Sequence, residues 1–459
     1  MILYKNANFY VNDNYVNKII VKDDLIYKIG DDCNNIVVKK EIDLNGAFVY
    51  PGFKDSHMHL LGYGRKLYSK NISHLKTKEE VLNKIRQLYN NDTLKIEGYF
   101  NYNINKFDLD KISKDNYIIL RHNDYHSFTV NSKVLNELNI KSNDGIILND
   151  NISKLINPLW EDSSRKQLIK YGEKAIESLI KNGITSISTD DLSYFNSYKE
   201  TVEILRELSN KYKFNINTLI NIDILDDYLK YFPKDKYIKD IGIKMFYDGT
   251  LSSKTAYISG LYDNNDNGRF DNKSFLNNLK RVRQINKNIL VHVIGDLALN
   301  DLNKYLLKDD RLIHASLINK NMIENLNTKH IDIQPLFYDT DNAILKNIKD
   351  FKGLIHPFKE LNKNGYILNI SSDAPVESIN IFKNIKALLK RDINIKDILK
   401  MYTLNESIHL KDNSGLIKEN FKASFTCFNK DILKLNINNI KDYKITYTIV
   451  NNVIYYKNN

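Results

Sequence analysis

The sequence predicts an α/β chain with a parallel (β/α) barrel at its centre and a small β-domain assembled from both chain ends. Three observations carry that expectation. From about residue 51 to residue 409, apolar runs of strand length alternate with longer helical patterns, as parallel βα units do. Both ends read as short strands only. No Gly-rich phosphate loop supports the rival architecture, a doubly wound open sheet.

The first fifty residues contain "ANFYV", "KIIVKDD", "LIYKIG", "NIVVKKEIDL" and "AFVY", rich in Val, Ile, Tyr and Phe and broken by Asn, Asp and Gly. The end, with "ASFTCFN", "KITYTIV" and "NNVIYYK", has the same texture. Neither end is long enough to bury a core alone, so residues 1–50 and 410–459 are expected to form one composite β-sandwich, with 51–409 as the barrel. Residues of about 96–150 look irregular and are expected to form an insertion over the barrel mouth. Beyond them, "IGIKMFYDG", "NILVHVIGD", "RLIHASLI", "HIDIQPLFY" and "GYILNISSD" are the clearest strand-like runs. "KSFLNNLKRVRQIN", "LALNDLNKYLLK" and "SINIFKNIKALLKR" read as helices between or after them.

Function classes narrow with composition. The formal charge is +11, but the lysines are scattered among Asn, Ile and Asp without a basic block interleaved with aromatics, so a solvated basic surface is expected and no nucleic-acid partner. The two cysteines, Cys33 and Cys427, lie far apart, which argues against a disulfide framework and fits a reducing cytoplasm. The first residues lack the apolar segment of a signal peptide, and nowhere do about 18 apolar residues run together, so no membrane span is expected. The expected partners are a small-molecule substrate and a second copy of the chain as a homodimer.

Chemistry concentrates at the ends of the strand-like runs. In "PGFKDSHMHL" strict alternation places Phe53, Asp55, His57 and His59 on one face, which in a barrel is the interior. A His-x-His pair is a weak signal by itself. "LVHVIGD" adds His292, "RLIHAS" adds His314, and "LNISSDAPV" ends in Asp373. Imidazole nitrogen and carboxylate oxygen from several strand ends are what hold Zn²⁺ or a similar divalent ion. Asp373 also reads as a cap for the helix that follows. "IGIKMFYDG" puts Lys244, Phe246 and Asp248 on one face, where a buried lysine needs a partner, a lost proton or a chemical modification. Asp55 is a candidate to buttress a histidine, and Asp296 to act behind the ligands or as a cap.

These stretches resemble the amidohydrolase superfamily, and within it amidohydrolase family 3, the branch containing N-substituted formamide deformylase. The likeness rests on "PGFKDSHMHLLGYG", "LRHNDYHSFTVNS", "GITSISTDD", "GIKMFYDGTLSSKTA", "VHVIGDLAL", "RLIHAS" and "SSDAPV", and on "SGLIKENFKASFTCFN" near the end. It implies a TIM-like (β/α)8 barrel holding one or two divalent ions, Zn²⁺ by expectation, on His57, His59, Lys244, His292, His314 and Asp373. Lys244 would enter as a carbamate bridging two ions. It implies hydrolysis of a C–N bond, amide or formamide-like, with Asp373 taking the proton of water and passing it to the leaving group. A deaminase, a cyclic-amide hydrolase or a non-catalytic ligand-binding barrel are the alternatives on the same centre. Asp124, His126 and Asp248 are candidates for substrate binding, His126 also for catalysis, while a hydrogen-bonded loop histidine remains open for His126. The chain departs from the family pattern at Lys54, usually Ile or Val, at Asp124-Tyr125-His126, usually Asp-Gly-His, at "NDGIILNDN", and at Ala423-Ser424-Phe425. The changes around residues 98–160 bear on substrate choice, not on the ligand set.

Overall fold

The computed structural model describes residues 1–100, 102–122, 127–148, 155–156, 159–160, 164–262, 265–268 and 272–458. It falls into two compact units, one made of Met1–Gly64 and Gly172–Asn459, the other of Arg65–Tyr171.

The first unit contains a parallel eight-stranded sheet. Its strands are β1 Phe53–Met58, β2 Ile184–Thr189, β3 Asn215–Asn221, β4 Ile238–Phe246, β5 Ile289–Val293, β6 Arg311–His314, β7 His330–Ile333 and β8 Ile367–Ile370. Each pairs with the next in parallel register. The sheet nearly closes into a barrel. Between β8 and β1, the Ser56 hydroxyl donates to Ile370 O (3.1 Å). Just beyond the strands, the Asp373 and His59 amides donate to the carbonyls of His57 (2.9 Å) and Ala374 (2.7 Å). All five residues of β5 are buried, as expected of a strand covered on both faces.

Helices connect the strands for ordinary reasons. Tyr198–Lys211 begins at Ser197, whose side chain accepts from the Glu200 amide, and buries Val202, Leu205 and Leu208 on one face. Burial of each such leucine stabilises by about 1.5–3 kcal/mol, and Leu205→Ala would cost about 2–5 kcal/mol. Among the described residues no helix is long and apolar enough to cross a membrane.

Two further sheets lie in the chain ends, one from the N-terminal end alone and one from both ends. One has Leu25–Ile29, Ile19–Lys22, Ile2–Lys5 and Lys40–Asp43; the other has Val453–Lys457, Ile445–Val450, Phe425–Phe428, Phe48–Pro51, Asn8–Val11 and Asn14–Val16. Phe48–Pro51 and Phe425–Phe428 pair directly, so the ends of the chain share a ladder. Tyr4, Phe9, Val49, Phe425, Cys427 and Ile449 share one buried cluster. Both cysteines are buried free thiols.

The second unit corrects an expectation. Residues 96–150 look irregular in sequence, yet Leu94–Tyr99, Ile118–His122, Phe128–Val130 and Ile146–Ile147 belong to a five-stranded sheet. Two of its strands, Lys70–Asn71 and Ile146–Ile147, are only two residues long, and Phe128–Val130 only three, too short for a period to show. Trp160 packs on Phe128 at 5.8 Å between ring centres, in keeping with a core role.

An ionic cluster lies at the start of β6. Arg311, Asp332 and Glu406 are all fully or almost fully buried. The guanidinium bonds both carboxylates and donates to the Ser56 carbonyl (3.1 Å). Nothing in the sequence marks this group, since its members lie on β6, on β7 and on helix Leu404–Leu410.

Candidate metal centre

The C-terminal ends of β1, β4, β5, β6 and β8 converge. One ligand atom each from His57, His59 and Asp373 lies within 4.8 Å of the others. Both Nε2 atoms are 3.5 Å from Asp373 Oδ1. Lys244 Nζ lies 3.4 Å from His57 Nε2. The ring of His314 is centred 6.1 Å from that of His57 and 4.6 Å from that of His292. The six residues therefore form two groups, His57–His59–Asp373 and His292–His314, with Lys244 against the first.

The backbone is bent to achieve this. β1 shifts register against β2 between the Asp55 and Met58 pairs, and simple alternation fails there. Phe53 stacks on Tyr402, of the helix Ile395–Tyr402, while Lys54 reaches Ser407 and Ser414. Asp55 accepts from the amide (3.0 Å) and hydroxyl (2.5 Å) of Ser372 and from the amide of His57 (3.4 Å). It thus ties β1 to the segment carrying Asp373 instead of touching an imidazole. His314 and Asp373 have φ of +75° and +52°. Left-handed backbone at such residues costs about 1–3 kcal/mol and concentrates at functional sites.

Hydrogen bonds fix which nitrogen is free in three of the four rings. His59 Nδ1 bonds the Asp190 carbonyl (2.6 Å), leaving Nε2 toward Asp373. His314 Nδ1 bonds Gln334 Oε1 (2.8 Å). His292 Nε2 bonds the Gly249 carbonyl (3.0 Å), leaving its Nδ1. Gly249 must be glycine, because a Cβ there would lie 1.9 Å from Thr255 Oγ1.

Electrostatics favour a cation. Burial, and then Lys244, hold His57 far below the usual imidazole range; burial, and then His314, do the same for His292. Burial takes His314 down to about 4. These rings keep lone pairs available. Burial would lower His59 too, but Asp373, Asp190 and Asp191 outweigh it and raise it to about 9. Burial raises Asp373, yet His59, His314 and Lys244 more than offset it and leave the carboxyl below its usual value. Zn–N bonds of about 2.0–2.1 Å put tetrahedral ligands about 3.3–3.4 Å apart. The two 3.5 Å edges to Asp373 match that spacing, so these residues fit a divalent ion.

The other candidates are placed differently. Asp248 accepts from the amides of Ile294 (2.9 Å), Gly295 (2.8 Å) and Tyr257 (3.0 Å). Burial pushes it up to about 7 against those three donors. It therefore clamps the loop after β4 to the end of β5. Asp296 accepts from the Ser259 amide (2.9 Å) in the same loop. The side chain that caps the helix after Asp373 is Asn380, which accepts from the Lys383 amide (3.0 Å). Asp124 and His126 lie outside the described residues. The sequence offered no role for Asp190, although "TDD" ends β2. It is fully buried, its Oδ1 has no hydrogen-bond partner among the described residues, and its field acts on both His59 and Lys244. Gln334 and Ser372 likewise had no role assigned from the sequence, although Ser372 lies in "SSDAPV".

A parallel barrel with histidine and carboxylate ligands at its strand ends defines a class of metal-dependent hydrolases. The model of the amidohydrolase family matches residues 40–456, and the chain belongs to that family. It is 28% identical to the putative amidohydrolase YtcJ of Bacillus subtilis (strain 168) over 91% of this chain and 90% of that one. Uncharacterized metal-dependent hydrolases from Pyrococcus furiosus and Pyrococcus horikoshii OT3 share the fold, both at 22% identity, with TM-scores of 0.81 and 0.80. These matches cover 94% and 95% of this chain and 100% and 99% of theirs. Atrazine chlorohydrolase TrzN from Arthrobacter aurescens TC1, complexed with zinc, is similar at a TM-score of 0.58 and 12% identity, over 100% of this chain and 96% of that one.

Proposed function

We propose that the protein hydrolyses a C–N bond, amide or formamide-like, in a small molecule, with Zn²⁺ as the ion. His57, His59 and Asp373 would hold one ion, and His292 and His314 a second. When bound, such an ion supplies Lewis acidity and makes water acidic enough to deprotonate near neutrality. The chain's own residues do the rest. Asp373 is held ionised, and its side chain is 11% exposed, so its carboxylate can take a proton from water and return it to a leaving amine. His59, 24% exposed, marks the side from which water and substrate enter, while His57 is sealed at 2%. Lys244, fully buried, is lowered in pKa by burial and so poised to be the free amine that adds carbon dioxide. Starting from the buried ammonium, one proton leaves to give the free amine and a second leaves as its nitrogen bonds carbon dioxide, so a buried cation would become an anion suited to a divalent ion.

The observation that carries this reading is the position of Asp373 Oδ1, 3.5 Å from two imidazoles in left-handed backbone. The test is a panel of formamides, linear amides, cyclic imides and amino-heterocycles, run before and after chelation, with elemental analysis. Metal-dependent release of an amine from an amide is the expected result. Full activity in metal-free protein, or activity confined to amino-heterocycles, would overturn it.

A further inference from the structure

Aromatic side chains stand beside the candidate ligands on the open side. Phe246, the last residue of β4, is 40% exposed in a strand otherwise largely buried. Its ring is centred 5.2 Å from that of His292 and 5.0 Å from Lys244 Nζ. Phe337 stacks on His314 at 5.8 Å with an interplanar angle of 13°. Tyr194, 47% exposed, lies 5.5 Å from His59. Apolar surface gathered at a polar centre marks a recognition surface.

A second apolar feature lies farther along the same elements. Phe337 and Ile344 are seven residues apart in helix Phe337–Leu345 and so share one face, about 10 Å apart along the axis. Ile344 lines a cleft of about 340 Å³ with Leu251, Tyr262 and Ile348, rimmed by Lys254 and Asn347. Leu251 follows by two residues Gly249, whose carbonyl holds His292. Both walls of the cleft are thus tethered to the metal centre, one through Phe337 on His314, the other through Gly249 on His292. Its volume is that of a small-molecule pocket.

We propose that the substrate carries an uncharged apolar arm about 10 Å long, which leaves the scissile bond between Phe246 and Phe337 and ends in the cleft of Leu251, Tyr262, Ile344 and Ile348. The proposal rests on the C–N hydrolase reading for the bond cleaved, but the arm is a separate matter of binding. The arm displaces water from aromatic and aliphatic walls, and each buried methylene strengthens binding by about fourfold.

The test uses the full chain loaded with Zn²⁺ and N-alkylformamides from methyl to octyl, measuring both kcat/KM and, by calorimetry, Kd. We expect each added methylene to improve both by about fourfold until the cleft is filled. Ile344→Asp should flatten that slope to under twofold per methylene, Ile344→Val should keep it, and metal content should not change. Hydrolysis of the whole series with a flat slope overturns the arm and leaves the hydrolase reading standing. A slope in Kd without hydrolysis supports the arm and overturns the C–N reading. Flat binding without hydrolysis overturns both.

Discussion

Replacing Arg311 with Met tests whether the buried ionic cluster is a fixed part of the barrel. Asp332 Oδ1 and Glu406 Oε2, the latter at 2.8 Å, both lean on the guanidinium, and neither side chain is more than 1% exposed. Removing one partner of such a group leaves an uncompensated buried charge and costs about 3–5 kcal/mol. The lost bond to the Ser56 carbonyl adds about 1 kcal/mol. A loss of about 4–6 kcal/mol is a large part of the 5–15 kcal/mol of a typical domain. Urea unfolding followed by circular dichroism should therefore show a large fall in midpoint. The companion variant Arg311→Met/Asp332→Leu/Glu406→Leu removes all three charges and should recover much of that loss. Recovery should stop short of complete, because Ser188 and Asn369 donate to Glu406 and Asp332 and would lose those acceptors. A fall under about 1 kcal/mol in Arg311→Met, or a triple variant less stable than the single one, would refute the reasoning.

Asp373→Asn should lower turnover by 100-fold or more with the fold unchanged by circular dichroism, since Asn keeps the shape without the basic oxygen; near-normal turnover removes the proton-transfer role. Lys244→Ala should lose metal and activity together, and ¹³C-bicarbonate should give a carbamate signal in the parent alone; an unmodified amine with full metal content argues against the carbamate. Asp248→Asn can keep at most two of the three amide donors, those of Gly295 and Tyr257 that share one oxygen, and turns its own NH2 toward the Ile294 amide; it should cost about 1–3 kcal/mol, loosening hydrogen-exchange protection in residues 249–262; a changed KM with protection intact would instead make Asp248 a substrate contact. Asp412 is pulled up by burial but more strongly down by Lys54 and Lys422, from 3.8 to about 2. A depressed carboxyl stabilises the fold above its unfolded value, and that stability, on the order of 2 kcal/mol, is lost as pH falls from about 4 to 2. Asp412→Asn should therefore remove this part of the acid sensitivity, and a variant with an unchanged acid limb would contradict the pairing.

Much of the fold was legible because its signals are local. β5 and β6 are short apolar runs ending in a histidine or one residue beyond it, and "KSFLNNLKRVRQIN" shows the period that becomes helix Lys273–Gln284. The pairing of Phe48–Pro51 with Phe425–Phe428 followed from two ends too short to stand alone. The five-stranded sheet of the second unit was hidden because its strands are as short as two residues, below any readable period. The ionic cluster was hidden because Arg311, Asp332 and Glu406 become neighbours only when β6, β7 and a distant helix meet.

The site shows where alternation stops being a guide. Strict period two puts Asp55 on the same face as His57 and His59, and makes it a natural partner for an imidazole. The register shift between β1 and β2 breaks that rule within the motif. Asp55 is then spent on holding Ser372, and Ser372 precedes Asp373 in its left-handed conformation. One carboxylate fixes the backbone so that a second can face two histidines. The same division recurs at β4 and β5. Asp248 holds the amides of Ile294 and Gly295, while its loop presents the Gly249 carbonyl to His292. In both places the acid nearest the candidate ligands in sequence shapes the chain, and backbone groups of neighbouring loops complete the arrangement. Residue identity at strand ends was therefore enough to name side chains that the fold brings together, His57, His59 and Asp373 among them. Their geometry depends on strained backbone and a bulge, held by neighbours that only the folded chain assembles.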